Sequence, residues 1–269
     1  NAIIKQKSSH GTAPCRIFML RGVLRLKRIL LLFCLTLLLT GMILASFRRI
    51  NSVSAGAAAP FSPVVVLDAG HGGFDGGAQG QDGTVEKEIN LAVTQKIDCL
   101  ASLCGFETVM IRDADCSIEE EGVTGIRNRK VSDIHRRLDI AEEYPEALFL
   151  SIHQNHFPQE KQWGTQVFYG PKHPESRLLA ERIQKNVIQI LQPENRRAVK
   201  EAQQNLYILS RASNPAVMVE CGFLSNRDEC ARLCRPDYQQ QLAFVIVRSM
   251  LEQRIQNDEG TEKIDGVEA

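Results

Sequence analysis

Residues 63–256 predict an α/β fold: a three-layer α/β/α sandwich around a mostly parallel, twisted sheet, forming a single domain within a chain of 269 residues. Three observations predict it. Short aliphatic or β-branched runs alternate with longer segments whose apolar residues recur every three or four positions. The first strand, helix and second strand follow one another directly, as in a right-handed βαβ unit. Three of the strand runs also end on a histidine-bearing glycine loop, a histidine and a glutamate, at the edge where open parallel sheets bind ligands.

Val64 to Leu67 reads as a buried strand that the glycines at 70, 72, 73 and 76 stop, leaving His71 on the loop beyond it. Thr84 is positioned to cap a helix with Ile89, Val93, Ile97, Leu100 and Cys104 on its apolar face, ending at Gly105. Glu86 falls in its first turn. Phe106 to Arg112 is the next strand, and the polar, unperiodic stretch Asp113 to Lys130 reads as an exposed loop. A second helix over 131–143 turns Ile134, Leu138 and Ala141 inward and His135, Arg136, Arg137 and Asp139 outward. Ala147 to His153 is a buried strand, Thr165 to Tyr169 a short one, and 175–191 a helix with Leu178, Leu179, Ile183, Val187 and Ile190 on one side. Leu206 to Leu209 is a candidate strand, Pro215 to Glu220 a buried one, and a helix over 237–255 covers the sheet before a frayed charged tail, 257–269.

Ahead of the domain, Ile29 to Phe47 carries no charge, and at about 1.5 Å per residue it nearly crosses a hydrocarbon layer of about 30 Å. Arg16, Arg21, Arg25, Lys27 and Arg28 precede it and only Arg48 and Arg49 follow closely, so the positive-inside rule keeps 1–28 as a cytoplasmic arm and exports the rest. Its length and the arginine flank favour an uncleaved transmembrane anchor over a cleaved signal sequence, with 48–62 as linker. The expected location is therefore membrane-anchored with the domain outside the cytoplasm, or secreted if the segment is cut. A net charge of zero, with no basic aromatic stripe, argues against nucleic acid as a partner. Cys99, Cys104, Cys116, Cys221, Cys230 and Cys234 contain no C-x-x-C pair and read mostly as free thiols, Cys99 and Cys104 lying on an apolar helical face.

The loop around His71 lacks the spacing of a dinucleotide fingerprint and the lysine and hydroxyl of a phosphate loop. A bland turn or a metal site remain. His71, His153, Glu86 and Glu220 converge on one rim, and two imidazoles with one carboxylate and an open position make a catalytic zinc site, the other carboxylate serving as base. That chemistry is amide hydrolysis.

Asp-Ala-Gly-His-Gly-Gly from Asp68, Glu-Lys-Glu-Ile-Asn-Leu-Ala from Glu86, Ser-Ile-His-Gln-Asn from Ser151 and Val-Glu-Cys-Gly-Phe-Leu-Ser-Asn from Val219 together resemble the signature segments of the zinc-dependent N-acetylmuramoyl-L-alanine amidases. The resemblance covers 63–255. It implies that His71, Glu86 and His153 ligate Zn2+ and that Glu220 is the catalytic carboxylate. It also implies cleavage of peptidoglycan between N-acetylmuramic acid and the L-alanine of the stem peptide. A lone catalytic domain behind an N-terminal anchor is similar to the CwlD germination-specific amidases, which implies spore-cortex maturation through muramic-δ-lactam formation. Little room for an autoinhibitory helix suggests control by timing or by an activating protein partner. Arg112, Arg137 or Arg129, and Asn155 are candidate substrate contacts, the arginines through stem-peptide carboxylates. His156 reads as a rim residue rather than an extra ligand. The alternatives are a zinc peptidase cutting within the stem, and a membrane-anchored peptidoglycan-binding module without turnover.

Overall fold

The computed structural model describes residues 64–265, with side chains through Ile255, and Thr36 and Thr40 before them. The expected arm, anchor and linker over 1–62 otherwise lie outside the described residues, as does the end of the expected tail. No helix among the described residues is long and apolar enough to cross a membrane. The described residues from 64 onward belong to one compact unit.

Twelve elements follow in order: β1 (Val64–Ala69), α1 (Glu86–Leu103), β2 (Glu107–Met110), α2 (Ile126–Glu142), β3 (Leu148–Asn155), β4 (Gln166–Tyr169), α3 (Pro174–Ile190), β5 (Lys200–Glu201), α4 (Tyr207–Arg211), β6 (Ala216–Phe223), α5 (Arg227–Leu233) and α6 (Pro236–Asp265). They build a six-stranded sheet ordered β2-β1-β3-β6-β4-β5. β2, β1, β3 and β6 run parallel, and β4 pairs antiparallel with β6. From β1 the chain goes first to β2 on one side and then to β3 on the other. The gap between β1 and β3 is thus the switch point at which such sheets bind ligands.

Side-chain alternation divides the strands between two cores. Val65, Leu67, Leu150, Ile152, Val217 and Val219 pack against α1, α3, α5 and α6 through residues such as Val93, Ile183, Leu233 and Ile246. Val66, Phe149, Ala216 and Met218 face the other way, against Leu138 and Ala141 of α2 and Ile208 and Leu209 of α4. A strand buried on both faces reads as a continuous apolar run, as Val64 to Leu67 does.

Several expectations give way here. The N-cap of α1 is Val85, with no side-chain cap; Thr84 instead lies 3.6 Å from Cys234 Sγ. Cys99 and Cys104 are exposed, and the buried face of α1 runs through Asn90, Thr94 and Ala101 beside the expected apolar residues. α2 begins inside the expected loop, at Ile126, after Gly125 with φ 82°. Its inward face carries Asp133 and Arg137 beside Leu138 and Ala141, while Ile134 is exposed. Leu178 and Ile190 of α3 face solvent as well. The strand expected at Leu206 to Leu209 is the short helix α4, and α6 continues to Asp265, where a frayed tail was expected.

Candidate metal and active site

His71 stands two residues past the end of β1, after Gly70, and it is the one non-glycine described residue with a positive φ, 61°. That left-handed turn brings its ring back over the sheet edge, where its centroid lies 5.0 Å from that of His153, edge to face. Neither His153 nor Glu220 ends its strand: β3 runs on to Asn155 through a register shift, and β6 runs on to Phe223. The two residues are register partners on adjacent parallel strands, so their side chains leave the same face. Glu86 is the first residue of α1 and is buried.

The Glu86 carboxylate occupies the middle of the group. Oε1 lies 2.9 Å from His153 Nδ1 and accepts the Gln154 amide at 3.0 Å and Asn90 Nδ2 at 3.2 Å. Oε2 accepts the Ala78 amide at 2.8 Å and lies 3.3 Å from His71 Nε2. The other ring nitrogen of His71, Nδ1, is 2.9 Å from Asp75 Oδ2, and Asp75 also meets Lys130 Nζ at 2.7 Å. A carboxylate on Nδ1 turns Nε2 toward Glu86. Backbone makes room for this: a Cβ on Gly70 would come within 2.2 Å of His153 Nε2, and one on Gly77 within 2.5 Å of Glu86 Oε2.

Electrostatics follow from that packing. Burial disfavours the His71 cation, but the Asp75 and Glu86 carboxylates outweigh it and hold the pKa up at about 9. Burial likewise pushes Glu86 up, yet hydrogen bonds from His153 and His71 and their charges hold it well below the ordinary range. Glu220 behaves differently. Burial dominates, Glu86 adds to it, and the opposing His153 and His71 charges leave its pKa at about 7. Its Oε2 is shielded from solvent and has no hydrogen-bond partner.

One donor atom each from His71, Glu86 and His153 lies within 4.8 Å of the others. Two imidazoles and a carboxylate at that spacing are the donor set of a hydrolytic zinc centre. The orphaned Glu220 oxygen beside them fits the same occupancy: something polar is needed to complete the pocket.

Of the other candidates, Asn155 is half-buried at the end of β3, its carbonyl taken by the Leu224 amide, and His156 is exposed. Arg129 stacks over Phe74, 3.8 Å from the ring centre, and pairs with Glu119. Arg112 and Arg137 are corrections. Both are buried, and their guanidinium groups are taken up by backbone carbonyls, with Asp68 and Asp133 on Arg137, so neither faces a substrate carboxylate. Residues missed in the sequence include Asp75, Asn90 and Asp68, the last buried between Arg137 and Ser151. Glu229 was missed too: its carboxylate accepts the Gly164 and Phe223 amides and so ties the end of β6 to the segment before β4. Asn226 caps α5 through the Glu229 amide, an Asn-x-x-Glu spacing visible in the sequence, while the Glu229 carboxylate is engaged by the two amides above.

The family described as N-acetylmuramoyl-L-alanine amidase matches residues 65–252. The germination-specific N-acetylmuramoyl-L-alanine amidase of Bacillus subtilis is 32% identical over 188 residues, covering 70% of this chain and 78% of that protein. Among solved structures, the CwlD amidase of Clostridioides difficile, in complex with the GerS lipoprotein, superposes with a TM-score of 0.68 at 35% identity, over 71% of this chain and 98% of that one. The amidase AmiC2 of Nostoc punctiforme gives a TM-score of 0.60 at 30% identity, over 71% and 96%.

Proposed function

This chain belongs to the N-acetylmuramoyl-L-alanine amidases, and from that premise we propose that His71, Glu86 and His153 hold a zinc ion beside Glu220, which handles the protons of the reaction. The substrate is peptidoglycan, cut at the amide between the lactyl group of N-acetylmuramic acid and L-alanine. Spore cortex is the form of it that the germination-specific relative and the CwlD structure favour. The observation that carries the reading is the convergence of two histidines and two glutamates, from the loop after β1 and from α1, β3 and β6, on one end of the sheet.

Bound zinc supplies a Lewis acid that polarises the scissile carbonyl and acidifies water. The remaining work falls to the protein. Glu220, with a pKa of about 7, is poised near neutral pH to accept a proton from the attacking water as its oxygen bonds to the carbonyl carbon. The C–N bond then breaks, and Glu220 returns the proton to the departing L-alanine amine. One product is a lactyl carboxylate and the other a stem peptide with a free amine. Asn155, at the cleft end of β3, is the polar group available to orient the substrate. Such an enzyme acts outside the cytoplasm, and we assign residues 29–47 the role of keeping it at the membrane. The relative solved with a lipoprotein makes a protein partner part of the proposal.

The test is digestion of purified peptidoglycan by the full chain, with zinc supplied or chelated, and mass analysis of the products. Zinc-dependent release of intact stem peptides that begin with a free L-alanine amine is expected. Cuts within the stem would replace the amidase reading with a peptidase.

A further inference from the structure

His71 holds a backbone conformation that L-residues disfavour. It is held from below. The carbonyls of Ala69, Gly70 and His71 accept, respectively, Arg112 Nε at 2.8 Å and Arg137 Nη1 at 2.9 Å; Arg112 Nη2 and Asn90 Nδ2, both at 3.1 Å; and Arg137 Nη2 at 2.7 Å. Three consecutive carbonyls are thus turned toward two buried guanidinium groups.

The two arginines are not equivalent. Arg137 is neutralised by Asp68 and Asp133. Arg112 has carbonyls as its hydrogen-bond acceptors: besides Ala69 and Gly70, Nη2 donates to Lys87 O at 2.9 Å and Nη1 to Ala114 O at 3.0 Å. Burial, and then the nearby Arg137 charge, lower its pKa, so the site is costly for a cation. What that cost secures is geometry. Gly70 precedes His71 and Lys87 follows Glu86, so one planar group spans the backbone beside two of the three proposed ligands. A Cβ on Gly72 would meet Cys116 O at 2.1 Å and the Arg112 side chain at 3.0 Å, so the loop is also packed down onto it.

We propose that Arg112 is the positioning residue of the metal centre: by joining Gly70 O to Lys87 O it sets the separation of His71 from Glu86, and thereby the zinc affinity. The proposal rests on the ligand assignment above. Both carbonyls are reached by Nη2, which is held in place because Nε and Nη1 of the same plane are fixed on Ala69 O and Ala114 O. A lysine keeps the charge and most of the stem but brings a single nitrogen with no such plane to aim it.

The experiment measures zinc affinity by competition with a chromophoric chelator, on the full chain purified in detergent, for wild type, Arg112→Met and Arg112→Lys. Thermal melting of each metal-free protein and the visible spectrum of each cobalt-loaded one are recorded alongside. Zinc binding weaker by about 10–100-fold in both variants is expected, with a changed cobalt spectrum and Arg112→Lys melting close to wild type. If Arg112→Met does not fold, Arg112→Lys decides alone. Unchanged zinc affinity in folded variant, whatever happens to the melting temperature, would reduce Arg112 to a stability element and overturn the proposal. Wild type that takes up no zinc would sink the ligand assignment itself, a result distinct from wild type and variants binding alike.

Discussion

Asp68 and Glu220 are carboxylates set in one sheet, on strands separated only by β3, and they have opposite surroundings. Asp68 is buried with Arg137 Nη1 at 2.5 Å and Ser151 Oγ at 2.6 Å. Burial pushes its pKa up, but the Arg137 charge, His153 and the two hydrogen bonds overcome that and leave it lowered. Glu220 has an orphaned oxygen, and burial leaves its pKa at about 7. The fold satisfies one acid completely and leaves the other incomplete. A partly buried acid with one shielded, unpartnered oxygen is a destabilising feature retained where chemistry needs a group that changes protonation near neutral pH.

Four changes break or sharpen this contrast. Glu220→Gln should lower peptidoglycan hydrolysis by about a hundredfold to ten-thousandfold, with zinc content unchanged by metal analysis. Asp68→Asn should leave turnover chemistry in place but destabilise the fold by about 3 kcal/mol in urea titrations, because it strands much of the buried Arg137 charge. The pair should also respond oppositely to pH in chelator-treated protein. Asp68, lowered in the fold, contributes stability that is full above its ordinary value of 3.8 and is lost as pH falls through the folded value. Glu220, raised, disfavours the native state progressively as pH climbs from 4.5 through about 7, because the unfolded chain gives up that proton first. Stability–pH curves should therefore show Asp68→Asn most penalised at neutral pH and Glu220→Gln gaining on wild type between about pH 4.5 and 7, with a constant advantage above that. Smallest of all, Ser151→Ala should cost about 1 kcal/mol in the same titrations, since Arg137 continues to hold Asp68.

The same contrast explains what was legible in the sequence. Val64 to Leu67, the α1 periodicity and the placing of His71, His153, Glu86 and Glu220 near one sheet edge follow from local patterns, because strand runs and helix periods carry them. The support beneath them does not. A periodicity reading sends charges outward, which turns Arg137 to solvent and Ile134 inward, the reverse of what α2 does. That reversal depends on Asp68, which is far away in the chain and meets Arg137 only when β1 and α2 pack together. Arg112 was offered to the substrate for the same reason: its carbonyl partners exist only once the loop after β1 has folded over it. The four-residue run at Leu206 is too short for composition to separate strand from helix.

β5 consists of Lys200 and Glu201, both exposed, and the opposite edge strand β2 has four residues and opens on exposed Glu107. An incoming strand finds charge at either end of the sheet and almost no open ladder to extend. Crowding alone therefore gives these molecules little means of polymerising edge to edge, and fibril growth would have to start from a sheet already pulled apart. Resistance to edge-wise assembly thus lies in two of the least conspicuous residues of the chain.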